Sequence, residues 1–389
     1  MKVIYLDNNA TTKVDDSVFE EIRPYFTELY GNPSSMHYFG GQVQKKVDEA
    51  RQRVASLIGA HPDEIIFTSC GTESDNAAIS SALQVFPNRR HVITTRVEHP
   101  AVLTFCRGLS KHGYRVSELN VDNNGCLDMD ELRNVIDENT AIVSVMYANN
   151  ETGVIFPVEE VGRIVKEKGA FFHTDAVQAV GKIPMNMADS TIDMLSLSGH
   201  KLHAPKGIGV LYVRKGVPFR PFMVGGHQEK SRRAGTENTA SIIALGKACE
   251  IAGQYLDDEN VRVRAMRDRL ERELLRIIPS SRINGGGAER LPNTVSIAFE
   301  FVEGELILLY LSEFGICASS GSACTSGSLE PSHVLRAMGV PFTCAHGSIR
   351  FSLSRFTTDD EIDTVIRELP GIIRRGREMS PFGRELLNS

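Results

Sequence analysis

The 389-residue chain contains no Cys-x-x-Cys pair, so a closed zinc site has little support. No apolar run comes near the roughly 20 residues that span a bilayer. Positive charge is not in excess: 43 Lys and Arg stand against 49 Asp and Glu, for a net charge of −6. A general nucleic-acid binder would need a basic face. The opening stretch, Met1-Lys2-Val3-Ile4-Tyr5-Leu6-Asp7, meets an acid too early for a secretory apolar segment. Internal repeats are absent, and low complexity is confined to one Ser/Gly stretch. Together these absences lead to the expectation of a soluble, cytoplasmic protein that binds neither membrane nor nucleic acid. Hydrophobic residues make up 41% and charged residues 24%, which is ample for a large core, and the length suggests two domains or more.

Seven cysteines are present: Cys70, Cys106, Cys126, Cys249, Cys317, Cys324 and Cys344. An odd number in a long chain without a secretory leader argues against a disulfide framework. Most of these thiols read as small buried hydrophobes. Cys324 differs. It lies in Ser319-Ser320-Gly321-Ser322-Ala323-Cys324-Thr325-Ser326-Gly327-Ser328, a run that offers almost nothing to a core. A thiol on such a tether can visit a reaction centre and carry something away.

Apolar β-rich runs alternate with amphipathic ones over the first two-thirds. Strands are expected at Glu64–Thr68, His91–Thr94, Arg115–Leu119, Ala141–Met146, Phe171–Asp175, Asp193–Ser196 and Gly209–Val213. Helices fall between most of them, as at Gln42–Leu57, Thr72–Val85, Pro100–Lys111, Met129–Ile136 and Val158–Lys168. The alternation predicts an α/β fold with a mostly parallel seven-stranded sheet and helices on both faces. Beyond about residue 262 the pattern changes to a charged helix at Val263–Ile278, a strand at Thr294–Phe301, a helix near Glu303–Glu313, a strand at Ser348–Ser354 and a helix from Thr358 to Ile373. This predicts a smaller α+β domain.

Ligands bind at strand ends in such sheets, so residues just past each strand are the candidates. Ser69-Cys70-Gly71-Thr72-Glu73-Ser74 turns from strand into helix, either as an anion cradle or as a plain helix cap. Asp175 closes an apolar strand, where an unpaired carboxylate would be costly. A protonated pyridine nitrogen would serve as its partner, and so would an ordinary salt bridge. Ser198-Gly199-His200-Lys201 follows another strand. A partly desolvated lysine there has a lowered pKa and can form a Schiff base, with Ser198 and His200 as donors to a phosphate. Lys206 and Lys182 are weaker alternatives, since neither follows such a strand end. His99 follows a third strand and can stack on a flat cofactor and handle protons; a structural histidine is the bland alternative. Asn150 follows a fourth and can bind a cofactor oxygen or a substrate carboxylate. Arg350, on an apolar strand, fits either a carboxylate clamp or an internal ion pair. A lysine, a carboxylate, a phosphate cup and a stacking ring are what pyridoxal 5′-phosphate requires.

These residues, with Asp7-Asn8-Asn9-Ala10-Thr11-Thr12 and Gly31-Asn32-Pro33-Ser34-Ser35, resemble cysteine desulfurases of the NifS/IscS type, in the class-V aminotransferase group of fold type I. The long cysteine loop resembles the members with a flexible arm, and Ser326-Gly327-Ser328-Leu329-Glu330-Pro331-Ser332-His333 is closer to nitrogen-fixation NifS than to housekeeping IscS. The resemblance implies a large domain over residues 16–261 and a small one over residues 1–15 and 262–389, with the cysteine loop at about 315–332. It makes Lys201 the Schiff-base lysine, His99 the stacking and proton-handling histidine, and Asp175 the partner of the ring nitrogen. Gln178 is placed near the phenolic oxygen, and Gly71, Thr72, Ser198 and His200 in the phosphate cup. Thr236 becomes a phosphate contact donated by a second subunit, which implies a homodimer. Asn150 and Arg350 match residues that hold the substrate carboxylate. The implied reaction takes sulfur from L-cysteine, giving L-alanine and a Cys324 persulfide for iron–sulfur assembly on the scaffold NifU, or IscU for a housekeeping enzyme. No firm metal site is implied; a transient iron–sulfur ligand role for Cys324 stays open. So do a selenocysteine lyase or aminotransferase of the same fold, and a non-enzymatic cluster scaffold.

Overall fold

The computed structural model describes residues 2–320 and 331–380. Cys324 lies outside the described residues. The first strand, β1 (Ile4–Tyr5), belongs to a minor pair described below. The large sheet is built from β2 (Ile65–Thr68), β3 (His91–Thr95), β4 (Arg115–Leu119), β5 (Thr140–Ser144), β6 (Phe171–Asp175), β7 (Met194–Ser198) and β8 (Gly209–Val213). Their order across the sheet is β2-β8-β7-β6-β5-β3-β4. The pairs from β7 through β6, β5 and β3 to β4 are parallel, as expected. The exception is β8, antiparallel to both β7 and β2. Its reversal follows from chain length: residues 199–208 join β7 to β8, and a parallel crossover needs roughly a dozen residues or more.

Side chains alternate between the two faces of this sheet. Ile66, Val92, Ile142, Met194 and Leu211 enter one cluster, with Ala78, Ile79 and Ala82 of the helix Gly71–Val85. Ile65, Phe67, Ile93, Val143 and Leu195 enter the other, with Val47 and Val54 of the helix Tyr38–Ile58 and Ile243 and Leu245 of the helix Thr239–Asp258. Each fully buried Val, Leu or Ile contributes about 1.5–3 kcal/mol relative to exposure. The helix Tyr38–Ile58 stops at Gly59, whose φ is +63°. A Cβ there would also lie 2.4 Å from Asn186 Oδ1, so glycine is needed on both counts.

The helix Thr239–Asp258 runs through one wide turn, Glu259–Val263, into the helix Arg264–Ile277. Beyond it, β9 (Ser281–Ile283) and β10 (Thr294–Phe299) are followed by β11 (Ile316–Cys317), β12 (Ser319–Ser320) and β13 (Ser348–Ser352). A four-stranded antiparallel sheet has the order β12-β13-β10-β9, and β1 pairs in parallel with β11. This region has its own core: Leu270, Leu274, Phe299 and Phe351, joined by Ile4 and Leu6 from the start of the chain. The last helix, expected to stop at Ile373, continues to Met379. The buried Arg377 holds those extra turns by donating to the carbonyls of Glu300, Pro279 and Ser280. Among the described residues no helix is long and apolar enough to cross a membrane.

Candidate active site

The C-terminal ends of β3, β5, β6 and β7 open onto a cavity of about 430 Å³. Its lining includes Gly71, Thr72, His99, Asn150, Asp175, Gln178, Ser198, His200, Lys201 and Arg350, residues singled out from sequence. Thr236 is exposed and lies outside this lining. Lys206 is exposed, and Lys182 is buried and borders a different cavity.

Lys201 ends the turn Gly199–Lys201 that follows β7. Its Nζ donates to the carbonyls of Asn9 at 2.5 Å and Ala10 at 2.7 Å. Asn9 is tied into both sheets' regions. Its N–H donates to Ser352 Oγ at 2.9 Å, and its Nδ2 to Thr294 Oγ1 at 2.9 Å and to the Asn150 carbonyl at 3.1 Å. Its Oδ1 accepts from Asn293 Nδ2 at 3.1 Å, and its carbonyl also accepts from Gln178 Nε2 at 3.0 Å.

Asp175 is buried at the end of β6 and accepts from the Val177 N–H at 2.9 Å. Burial pushes its pKa up, against the opposing pull of His99, that N–H and Lys201. His99 caps the helix Pro100–Leu109, which starts with proline at its first position. His99 Nδ1 accepts from the Ala101 N–H at 3.1 Å, so the ring's proton sits on Nε2. Burial lowers its pKa, which agrees with a neutral ring that could not cap if doubly protonated. His200 Nδ1 meets Thr11 Oγ1 at 3.1 Å. Its pKa falls to about 4, through burial and then the neighbouring Lys201.

The helix Gly71–Val85 begins after Cys70, which makes no side-chain cap bond. Ser69 does not cap either; its N–H donates to Glu73 at 2.7 Å, and Glu73 is paired with Arg233 at 2.8 Å. The first N–H groups of a 15-residue helix therefore meet the cavity without a side-chain cap, as an anion site requires. Gly71 is packed closely: a Cβ would lie 2.9 Å from Val177 Cγ2.

The internal ion pair suggested for Arg350 is formed. Its Nη2 lies 2.8 Å from Asp7 Oδ1, and its Nη1 donates to the Asn150 carbonyl at 3.0 Å. Its Nε is buried without a hydrogen-bond partner, and the residue borders the cavity.

Several lining residues escaped the sequence reading. Asp75 is buried on the helix Gly71–Val85. The spacing of Gly71, Ser74, Asp75 and Ala78 puts it on the inner face, which was a usable signal. Glu151 accepts from the Ser332 hydroxyl, and burial pushes its pKa to about 7. His333 Nε2 lies 2.9 Å from the carbonyl of Glu98. The Glu98 carboxyl accepts from Thr95 Oγ1 at 2.8 Å and the Met146 N–H at 2.9 Å, and burial raises its pKa to about 8. No local pattern marks these last contacts. Among the described residues no cluster of His, Cys, Asp and Glu could hold a metal ion.

The profile of the class-V aminotransferase family matches residues 4–365. The chain is 62% identical over 382 residues to a cysteine desulfurase of Nostoc sp., covering 98% of this chain and 96% of that one. It is 58% identical over 383 residues to the cysteine desulfurase NifS of Azotobacter vinelandii, covering 98% and 95%. A solved NifS-like protein superposes with a TM-score of 0.90 at 41% identity, covering 96% of this chain and 99% of that one.

Proposed function

The chain belongs to the class-V aminotransferase family, and from that premise we propose that it is a pyridoxal phosphate-dependent cysteine desulfurase working at the cavity bordered by Lys201. The observation that carries the reading is the convergence of Lys201, Asp175 and His99 from three strand ends on one cavity, beside an uncapped helix N-terminus.

The residues present fit the cofactor. Asp175 is a buried carboxylate opening onto space, in need of a cationic partner such as a pyridinium nitrogen. Lys201 would hold the aldehyde covalently, and the flat ring of His99 would lie against the cofactor ring. The N–H groups at Gly71 and Thr72, with Ser198 and His200, would take the phosphate. When bound, pyridoxal 5′-phosphate supplies the electron sink that loosens the carbon–sulfur bond of the substrate.

The chain's own residues do the rest. Arg350, held at one end by Asp7, would bind the carboxylate of L-cysteine near Asn150. Lys201 Nζ moves the substrate's α-proton once it leaves the carbonyls of Asn9 and Ala10. His99 Nε2 carries a proton at the sulfur. The Cys324 thiolate takes the sulfur atom; the products are L-alanine and a Cys324 persulfide, so the atoms balance with nothing added.

Further parts of the reading are a cytoplasmic homodimer in which the exposed Thr236 reaches the phosphate of the second copy, and a division into residues 16–261 against 1–15 and 262–389. The separate core around Phe299 and Phe351 supports that division. The likeness to NifS of Azotobacter vinelandii supports sulfur delivery for nitrogenase maturation, with NifU rather than IscU as the acceptor. The test is incubation with L-cysteine and a thiol reductant. Equal alanine and sulfide, both lost in Cys324→Ser, are expected; pyruvate without alanine would overturn the reading.

A further inference from the structure

We propose that Asp75 is a positioning residue for Asp175: a neutral carboxylic acid beside the cavity that leaves Asp175 as the anion of the pair. The inference rests on the cavity being the pyridoxal phosphate site. Asp75 is 1% exposed and borders the cavity. Its Oδ1 has no hydrogen-bond partner. His173 Nε2 is 3.6 Å from that oxygen but brings no charge. Its ring is fully buried, with Nδ1 at 2.8 Å from Ser144 Oγ and Nε2 at 3.0 Å from Ser196 Oγ, and burial drops its pKa to about 3.

The ionisable groups that face Asp75 from the elements around it are Asp175, Glu98 and Cys70, each negative when charged; Ser196 offers a hydroxyl. Asp175 is served differently. It has the Val177 N–H at 2.9 Å, and His99 and Lys201 act on it from the cavity side. Two buried carboxyls without a cation between them do not both ionise. The donors decide which does: the Val177 N–H and the positive charge of Lys201 favour the anion at Asp175, and the proton stays on Asp75. The string Ser144–His173–Ser196 thus ends beside an acid that withholds charge. Were Asp75 ionised instead, Asp175 would take the proton and lose its hold on a pyridinium.

Infrared difference spectroscopy on the full-length holoenzyme tests this. Wild type minus Asp75→Asn should show a protonated-carboxyl C=O band that moves down in heavy water; absence of that band overturns the proposal. Asp75→Leu, which removes the polar group, should weaken pyridoxal phosphate retention about tenfold, and Asp75→Asn should recover most of that loss. A fall in Asp75→Asn as deep as in Asp75→Leu means a charge was needed there, and also overturns it. The band is read without turnover, so the two readings separate. Alanine release with no band sinks this inference alone; the band with no alanine release sinks the desulfurase assignment alone.

Discussion

Lys201 and Lys182 both reach the Asn9–Gln178 pair, in different surroundings. Lys182 Nζ donates to the Gln178 carbonyl at 3.0 Å and to its Oε1 at 3.4 Å. It is buried, and burial brings its pKa down to about 8, with Glu259 pulling the other way. Beside it is a cavity of about 20 Å³, room for one water. Lys201 borders that cavity too, but it also opens on the one of about 430 Å³. A depressed pKa is a common mark of a reactive lysine, and Lys182 carries it. The volume next to the amine favours Lys201: a Schiff base needs a place for the carbonyl compound.

The largest expected effect is on Lys201→Ala, which should lower alanine release by about 10³-fold or more and abolish any borohydride-trapped link between protein and cofactor. If Lys182→Met did this and Lys201→Ala did not, the comparison would be reversed. Asp175→Ala should follow, with a loss of about 10²-fold or more in kcat and weaker cofactor retention. Arg350→Lys, which loses the planar fork, should raise KM for L-cysteine about tenfold with a smaller change in kcat; an equal fall in kcat would assign Arg350 to the chemistry.

Lys182→Met should have the smallest effect on turnover and sharpen the comparison through stability. The folded chain holds Lys182 at about 8 against an ordinary 10.5. Between those values the unfolded chain binds the extra proton, so wild-type stability rises as pH climbs through that window; below it the folded amine is protonated too, and the full cost of burying its charge is present. The variant lacks this cost. Its melting temperature relative to wild type should therefore drop as pH rises from about 8 to about 10.5. A pH-independent offset would show that Lys182 stays charged.

Much of this arrangement could be read from local pattern. Lys201, Asp175, His99 and Asn150 border the cavity because each follows a strand whose apolar run is plain in the sequence. The choice of Lys201 over Lys182 and Lys206 rested on the same fact. The reversed β8 was legible in principle from the short 199–208 connection. Asn9 was not: its partners Asn293, Thr294 and Ser352 are far along the chain, and nothing near residue 9 announces them. The Glu151–Ser332 and Glu98–His333 contacts are hidden for the same reason. Arg350 was legible only as a pair of alternatives, and its pairing with Asp7 depends on β13 lying next to the chain's first residues.

The knot at Asn9 has a consequence in time. The residue whose carbonyl receives Lys201 is made well before its own partner Ser352, which follows 343 positions later. At about 5–20 residues per second, the two emerge on the order of tens of seconds apart. During that interval the seven strands of the large sheet can already be out, but the amine of Lys201 lacks its settled anchor. A messenger cut short before the codon for Ser352 would thus encode all seven strands of the large sheet without one of the bonds that fix Asn9.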